Sequence, residues 1–261
     1  MIPVPVRLLG MPVHPITRET LLGTAVAWGK ADQLRRIYNV NVHAMNTAYA
    51  HPDFRQHLNA ADLVFCDGYG VKWAAARTGR PIPERLAISD WIEEFCDRTG
   101  DAGQSVFALG DEDGIAADYQ ERMSAEHPSY ISAGSHHGFF NKTGPENDRV
   151  VDMINASGAR HLLVGFGMPL QERWIEDNAD RLNVSVAYSV GATFRWFTGK
   201  DVRGPRWMTD NGLEWLHRLS RHPVKLFGRY VIGNPVFMAR VLAAEAGLGF
   251  GHETTPIQQS R

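Results

Sequence analysis

The sequence predicts an α/β protein: a largely parallel sheet with flanking helices, followed by a basic helical appendage. Three observations carry this. Strand-length apolar runs alternate with helix-length patterns up to about residue 190, which is how a layered parallel sheet reads. The apolar runs end in glycines, amides and carboxylates, at the strand ends where such sheets place ligands. Between Lys200 and Arg240 the composition changes: eight basic residues against three acidic ones, with Trp207, Trp215, Phe227, Tyr230 and Phe237 among them. That segment carries +5 and leaves −7 for the rest of a chain whose net charge is −2.

The elements follow in order. Residues 4–9 read as a strand and residues 18–28 as a helix. Residues 35–39 form a strand on the strength of Ile37 and Tyr38, and residues 61–66 another. Residues 91–99 are helical. Residues 105–109 are a strand ending at Gly110, followed by a helix over 114–127 and a strand over 130–135. Residues 148–157 form a helix with a capping aspartate at or near Asp148. Residues 161–166 are a strand, 171–181 a helix and 184–190 a strand. The expected division is a body over 1–199, an appendage over 200–246 and a flexible, Gly-rich then polar tail over 247–261.

Bulk properties exclude several classes. A chain of 261 residues with 44% hydrophobic and 21% charged residues is globular, neither disordered nor fibrous. A net charge of −2 argues against a general nucleic-acid binder. Cys66 and Cys96 are too few for a disulfide framework, so a reducing compartment is the simpler reading. Residues 1–10 lack the pattern of a secretion signal, and no window is apolar enough to span a membrane. A cytoplasmic protein with at most peripheral membrane contact is expected.

Five strand ends collect residues able to carry chemistry. In Asn39-Val40-Asn41-Val42-His43 two amides and an imidazole alternate, hence share one face of an extended segment, although asparagine there also caps loops. Asp67 follows an apolar strand and precedes Gly68 and Gly70; it suits a general base at a cleft mouth, or the cap of the next helix. Gly110-Asp111-Glu112-Asp113-Gly114 offers a phosphate a helix N-terminus. Its D-x-D resembles a metal-binding carboxylate pair, but acidic residues in a helix's first turn complement the dipole without a metal. Gly165-Phe166-Gly167-Met168-Pro169-Leu170-Gln171-Glu172 joins a strand to a helix and suits nucleotide contact through its backbone, or a plain turn. Gly191 and Ala192 lead toward Arg203 and Arg206, and arginine binds phosphate bidentately. His136-His137 lacks a third ligand at zinc spacing, and Cys66 reads as a buried small hydrophobe. No P-loop, G-x-S-x-G elbow or complete G-x-G-x-x-G occurs.

In the appendage, Leu213, Leu216 and Leu219 fall at helical spacing. Arg218, Arg221, Lys225 and Arg229 follow at intervals of three or four, with Pro223 able to break the helix between them. Basic and aromatic residues together suit an anionic membrane interface.

Taken in order, these residues resemble the WecG/TagA/CpsF family of bacterial glycosyltransferases, glycosyltransferase family 26. The resemblance runs from about Val6 to Phe237. It rests on Leu8-Leu9-Gly10, the Asn41 segment, Ala61-Asp62-Leu63-Val64 with Asp67-Gly68, and Glu84-Arg85. Further along are Leu109-Gly110, His136-His137-Gly138, Val164-Gly165 with Gly167, Pro169 and Gln171-Glu172, and Val190-Gly191-Ala192. Arg203 with Pro205 and Gly212-Leu213-Glu214-Trp215 complete the series.

The resemblance implies a Rossmann-like body of the kind called GT-E with a C-terminal appendage. It implies inverting transfer of a sugar from a UDP-sugar to a polyprenyl-diphosphate-linked sugar at the inner face of the membrane, without a metal or other cofactor. Asp67 falls on the proposed base, Asn41 on the motif asparagine and Gln171 on the P-x-Q-E glutamine. Gly68, Gly110, His137, Gly165, Gly167 and Gly191 are implied substrate contacts, and the appendage arginines point to Arg203, Arg218, Arg221 or Arg229. Asn39 stands where the family has threonine, and Arg195 where an aspartate is expected. Those two departures leave the donor open between an N-acetylmannosamine-like sugar and an acidic one that Arg195 would meet. UDP-glucose or UDP-glucuronate, and a nucleotide-binding module without turnover, are the alternatives.

Overall fold

The computed structural model describes residues 2–202 and 204–248. The chain opens on a hairpin. β1 (Val6–Leu8) and β2 (Met11–Val13) pair antiparallel with Leu8 opposite Met11. Leu9 and Gly10 between them take φ of 50° and 83°, the two-residue turn whose twist matches paired strands. The strand expected over 4–9 therefore stops at Leu8, and the hairpin stands apart from the main sheet. His14 binds Val64 on that sheet's edge, donating its N–H to the carbonyl at 2.7 Å and accepting the Val64 N–H on Nδ1 at 3.0 Å.

α1 (Arg18–Trp28) has the expected bounds, with Thr17 Oγ1 capping the Thr20 N–H at 3.2 Å. β3 (Arg35–Val40) leads into α2 (Val42–Ala50) and α3 (Pro52–Ala60), which the sequence reading leaves unassigned. β4 (Leu63–Cys66) and α4 (Tyr69–Arg77) follow. Then come α5 (Ile92–Asp101), β5 (Ser105–Gly110), α6 (Ile115–Glu126), β6 (Ile131–His136), α7 (Gly144–Ala156), β7 (His161–Gly165), α8 (Leu170–Asp177) and β8 (Val186–Ser189). α7 starts earlier than expected, with Thr143 at the N-cap and Pro145 in the first turn, where proline's fixed φ suits a helix start. Asp148 is no cap; its carboxylate meets Arg181 at 2.8 Å.

Among the described residues the strands form one six-stranded sheet in the order β4-β3-β8-β7-β5-β6, every pair parallel. Alternate side chains fill two cores. Tyr38, Val64, Leu109 and Val164 point to one face, and Ile37, Phe65, Ala108, Leu163 and Tyr188 to the other. Both faces are covered, so the strands read as continuous apolar runs.

The chain leaves β8 through α9 (Thr193–Phe197), α10 (Arg206–Asp210) and α11 (Glu214–Arg221). The helix breaks before Pro223, as its missing N–H requires. α12 (Pro223–Phe227) starts there, a π-helical turn (Gly228–Ile232) follows, and α13 (Gly233–Glu245) runs back along α2 and α4. Phe237 and Val241 are buried in the body's core, and Arg77 pairs with Glu245 at 2.6 Å. Residues 200–246 are thus anchored to the body at their far end. Arg203 and residues 249–261 of the expected tail lie outside the described residues.

Candidate active site

Because every strand of the sheet runs the same way, all six carboxyl ends open on one edge. A cleft of about 1360 Å³ lies there, walled on its far side by the appendage.

At the end of β3, Asn39 is buried and donates Nδ2 to the Ser189 carbonyl at 3.0 Å. The chain enters α2 one residue after Asn41, whose Oδ1 caps the helix by accepting the Ala44 N–H at 3.1 Å. The single extended face expected for Asn39, Asn41 and His43 therefore does not form, since His43 sits in the first helical turn. All three still line the cleft. Burial and the nearby Arg229 push His43 down to about 4, so it is a neutral imidazole at pH 7.

Asp67 follows β4, half-buried on the cleft wall. The N-cap of α4 is Gly68, with no side-chain capping bond, so capping is not the use of Asp67. Burial first, then the Glu214 carboxylate, push it up to about 7, against the pull of Arg85 and Arg218. A carboxylate at that value suits proton abstraction near neutral pH.

The β5 end departs from expectation. α6 is capped at Gly114, so Asp111 and Glu112 precede the helix and do not sit in its first turn. They meet Arg195 instead, at 2.9 Å and 2.6 Å. Gly110 is not on the cleft wall. It lies against β7 with φ +151°, and a Cβ there would stand 2.6 Å from the Gly165 carbonyl oxygen. Its smallness lets two loops approach.

After β6, His137 stacks on His136 and turns to a separate pocket of about 210 Å³ beside α6, away from the cleft. The loop beyond it does reach the cleft. Lys142 lies over the Phe140 and Phe166 rings at 3.6 Å and 4.3 Å and donates to the Phe140 carbonyl at 2.9 Å.

Gln171 is fully buried beneath the β7 and β8 loops. Its Oε1 accepts the Gly167 N–H at 3.1 Å and the Gly191 N–H at 3.0 Å, and its Nε2 donates to Glu172 at 2.8 Å. It staples two loops, and Gly165, Gly167 and Gly191 are carried to the cleft on them. Burial pushes Glu172 up to about 7.

From the appendage, Arg218 lies over the Trp196 ring at 5.5 Å, and Arg229 lies over Tyr230 at 5.3 Å. Both line the cleft. Arg221, the last residue of α11, is exposed and off the cleft. The charged lining residues Arg85, Lys142 and Glu214 are not among the sequence-predicted site residues. Arg85 and Glu214 stand in short motifs of the resemblance, whereas nothing local marks Lys142.

The sequence profile of the Glycosyl transferase WecG/TagA/CpsF family matches residues 6–249. An N-acetylglucosaminyldiphosphoundecaprenol N-acetyl-beta-D-mannosaminyltransferase of Bacillus spizizenii is 28% identical over 215 residues, 82% of this chain and 81% of its own length. A protein of the same name from Staphylococcus aureus strain MW2 is 27% identical over 209 residues, 80% of each chain.

Proposed function

The chain belongs to the WecG/TagA/CpsF family of glycosyltransferases, and on that premise we propose that it moves N-acetylmannosamine, or a close analogue, from its UDP-linked form to a lipid-diphosphate-linked sugar. The observation that carries this reading is Asp67: a carboxylate raised to about 7, on the wall of a cleft roomy enough for donor and acceptor together. The names of the relatives support the sugar and the lipid-diphosphate acceptor.

Asp67 takes the proton from the acceptor hydroxyl as that oxygen attacks the anomeric carbon. The bond to UDP breaks on the opposite face, so the anomeric centre inverts. Such a base typically contributes ~10²–10⁴-fold. Charge growing on the leaving diphosphate is met by Arg218 and Arg229 and by backbone of the Gly165–Gly167 turn. No divalent cation is required, a reading supported by the Arg195 guanidinium already paired with Asp111 and Glu112. The same pairing speaks against an acidic donor sugar held by Arg195, and so favours the neutral sugar.

Among the described residues no helix is long and apolar enough to cross a membrane. The appendage nonetheless presents Phe227, Val231 and Ile232 to solvent, and Val224 at 95% exposure, with Arg221 close in sequence. We place this surface against the anionic inner leaflet, where a lipid-linked acceptor would be met.

The test is a panel of UDP-sugars offered with a short-chain diphosphate-linked N-acetylglucosamine acceptor, read by mass spectrometry. Transfer from UDP-N-acetylmannosamine is expected. Transfer only from UDP-glucose or UDP-glucuronate would move the specificity. UDP-sugar binding with no product from any pair would leave a nucleotide-binding module.

A further inference from the structure

Asp67 lies on the body, but one carboxylate that raises it, Glu214, comes from the appendage. Gly212, just before α11, has φ +74° and lies flat on Tyr69: a Cβ there would stand 3.0 Å from the ring. Tyr69 is two residues beyond Asp67, and its ring also carries the Arg85 guanidinium, 5.1 Å from the centroid. Arg85 donates to Asp90 at 2.9 Å and lies 3.9 Å from the Glu214 carboxylate. The Leu86 N–H holds this segment beside the strand end, donating to the Cys66 carbonyl at 2.7 Å. Contacts therefore link Gly212 and Glu214 to Tyr69 and Arg85, beside the strand end that carries Asp67.

We propose that Glu214 is a positioning residue for the reaction: seated by Gly212 on Tyr69 and by its carboxylate beside Arg85, it sets the charge environment of Asp67 and hence the strength of that base. This rests on Asp67 being the base. The groups facing Asp67 are Glu214 and Arg218 of α11, Arg85 and Asp90 of the segment after α4, and Arg229 of the π-helical turn. Glu214 and Asp90 favour the protonated form, and the arginines favour the carboxylate. With Glu214 neutralised the arginines prevail, and Asp67 becomes a weaker base that ionises at lower pH. The appendage thus does more than bind substrate: it adds to the base strength that burial gives Asp67 while its Gly212–Glu214 segment is seated.

The experiment compares the full-length wild-type chain with Glu214→Gln and Glu214→Asp. Asp67 is titrated in each by carboxyl-carbon NMR without substrate, its signal assigned by loss in Asp67→Asn. The pH profile of kcat/KM is recorded alongside. Glu214→Gln should move the Asp67 midpoint and the acid limb of the profile together to lower pH, by about one pH unit. Its plateau kcat/KM should fall about threefold or more, with UDP affinity within about twofold of wild type. Glu214→Asp should restore most of each. An unmoved Asp67 midpoint in a folded Glu214→Gln variant overturns the proposal, as does a Glu214→Asp variant no better than Gln. If Glu214→Gln does not fold, the Glu214→Asp titration alone decides, since an Asp67 midpoint at that of an ordinary carboxylate overturns it. Should the midpoint move while the acid limb stays, Glu214 tunes Asp67 but the base assignment fails, and the proposal falls with it.

Discussion

Arg195 and Asp111 meet in a two-point ion pair: Nε donates to one carboxylate oxygen at 2.9 Å, and Nη2 stands 2.8 Å from the other. The Asp111 side chain is only 6% exposed, and Glu112 closes on the same guanidinium at 2.6 Å. The two carboxylates nearest the cleft in this acidic loop thus have their cation supplied by the chain. Bidentate geometry makes this the strong form of such a pair.

Transfer is therefore expected to persist in excess chelator and to gain nothing from magnesium or manganese. UDP release with the lipid-linked acceptor measures it. Activity lost to chelator and restored by metal would return Asp111 and Glu112 to metal ligation.

Asp67→Asn should reduce kcat by about 10²–10⁴-fold while UDP binds with near-unchanged affinity in calorimetry. With Asp67 as the proposed base the reactive form is the carboxylate, and Asp67 is held at about 7. The value of kcat/KM should thus fall about tenfold per pH unit below 7 and level off above it. A well-folded Asp67→Asn with wild-type turnover removes Asp67 from the base role.

The same shift bears on stability. Burial lifts Asp67 from its ordinary 3.8 to about 7, so between those values the folded state holds a proton that the unfolded state has released. Its contribution to stability therefore declines as pH rises through that window, and the cost is complete above pH 7. Asp67→Asn should melt higher than wild type at pH 8, by about 2–4 °C for each kcal/mol relieved. The gap should close near pH 4. Equal melting temperatures at pH 8 would mean that the carboxylate bears no such penalty.

Gln171→Ala leaves the Gly167 and Gly191 N–H groups without their acceptor. A loss of about 2–4 kcal/mol in chemical denaturation is expected, together with a raised KM for the UDP-sugar as the two loops separate. Gln171→Glu keeps the acceptor but sets a second carboxyl beside Glu172, which is already pushed up to about 7. That variant should be more stable at pH 5 than at pH 8. A Gln171→Ala protein with wild-type stability and KM would show that the staple is not needed.

Val224→Asp combined with Phe227→Asp and Ile232→Asp changes three exposed side chains of the appendage. Binding to anionic liposomes in low salt should be lost, with UDP affinity and transfer to a short-chain soluble acceptor within about twofold of wild type. Added salt should release the unaltered protein. Full liposome binding by the triple variant would place the docking surface elsewhere.

What the sequence by itself determined is whatever local physics controls. Short continuous apolar runs specified sheet strands such as β4, β5 and β7, because a strand covered on both faces needs apolar residues throughout. Thr17 and the run after it set α1, and Pro223 set the break between α11 and α12. The family motifs singled out Asp67, Asn41 and Gln171, and the first two stand just past strand ends, where backbone direction puts them near a ligand. Local signals also misled. Residues 4–9 read as a sheet strand because apolar alternation cannot show that Leu9 and Gly10 reverse the chain. Asp111 read as a first-turn helix residue because its partner, Arg195, is 84 residues away.

Only the tertiary structure decided which of these residues work together. The strand order brings the ends of β3, β4 and β8 side by side, and no stretch of sequence states it. Whether a histidine after β6 faces the cleft depends on how the loop turns, and His137 turns away while Lys142 turns in. Gln171 lies buried under two loops because burial is set by what packs above it. Arg218 and Arg229 reach the cleft while Arg221, on the same helix as Arg218, stays exposed, so helical spacing in the sequence does not tell which arginines face it. The charge felt by Asp67 depends on Arg85, Asp90, Glu214 and Arg218, from 18 to 151 residues distant along the chain. Electrostatic coupling follows distance in space, and folding creates that distance.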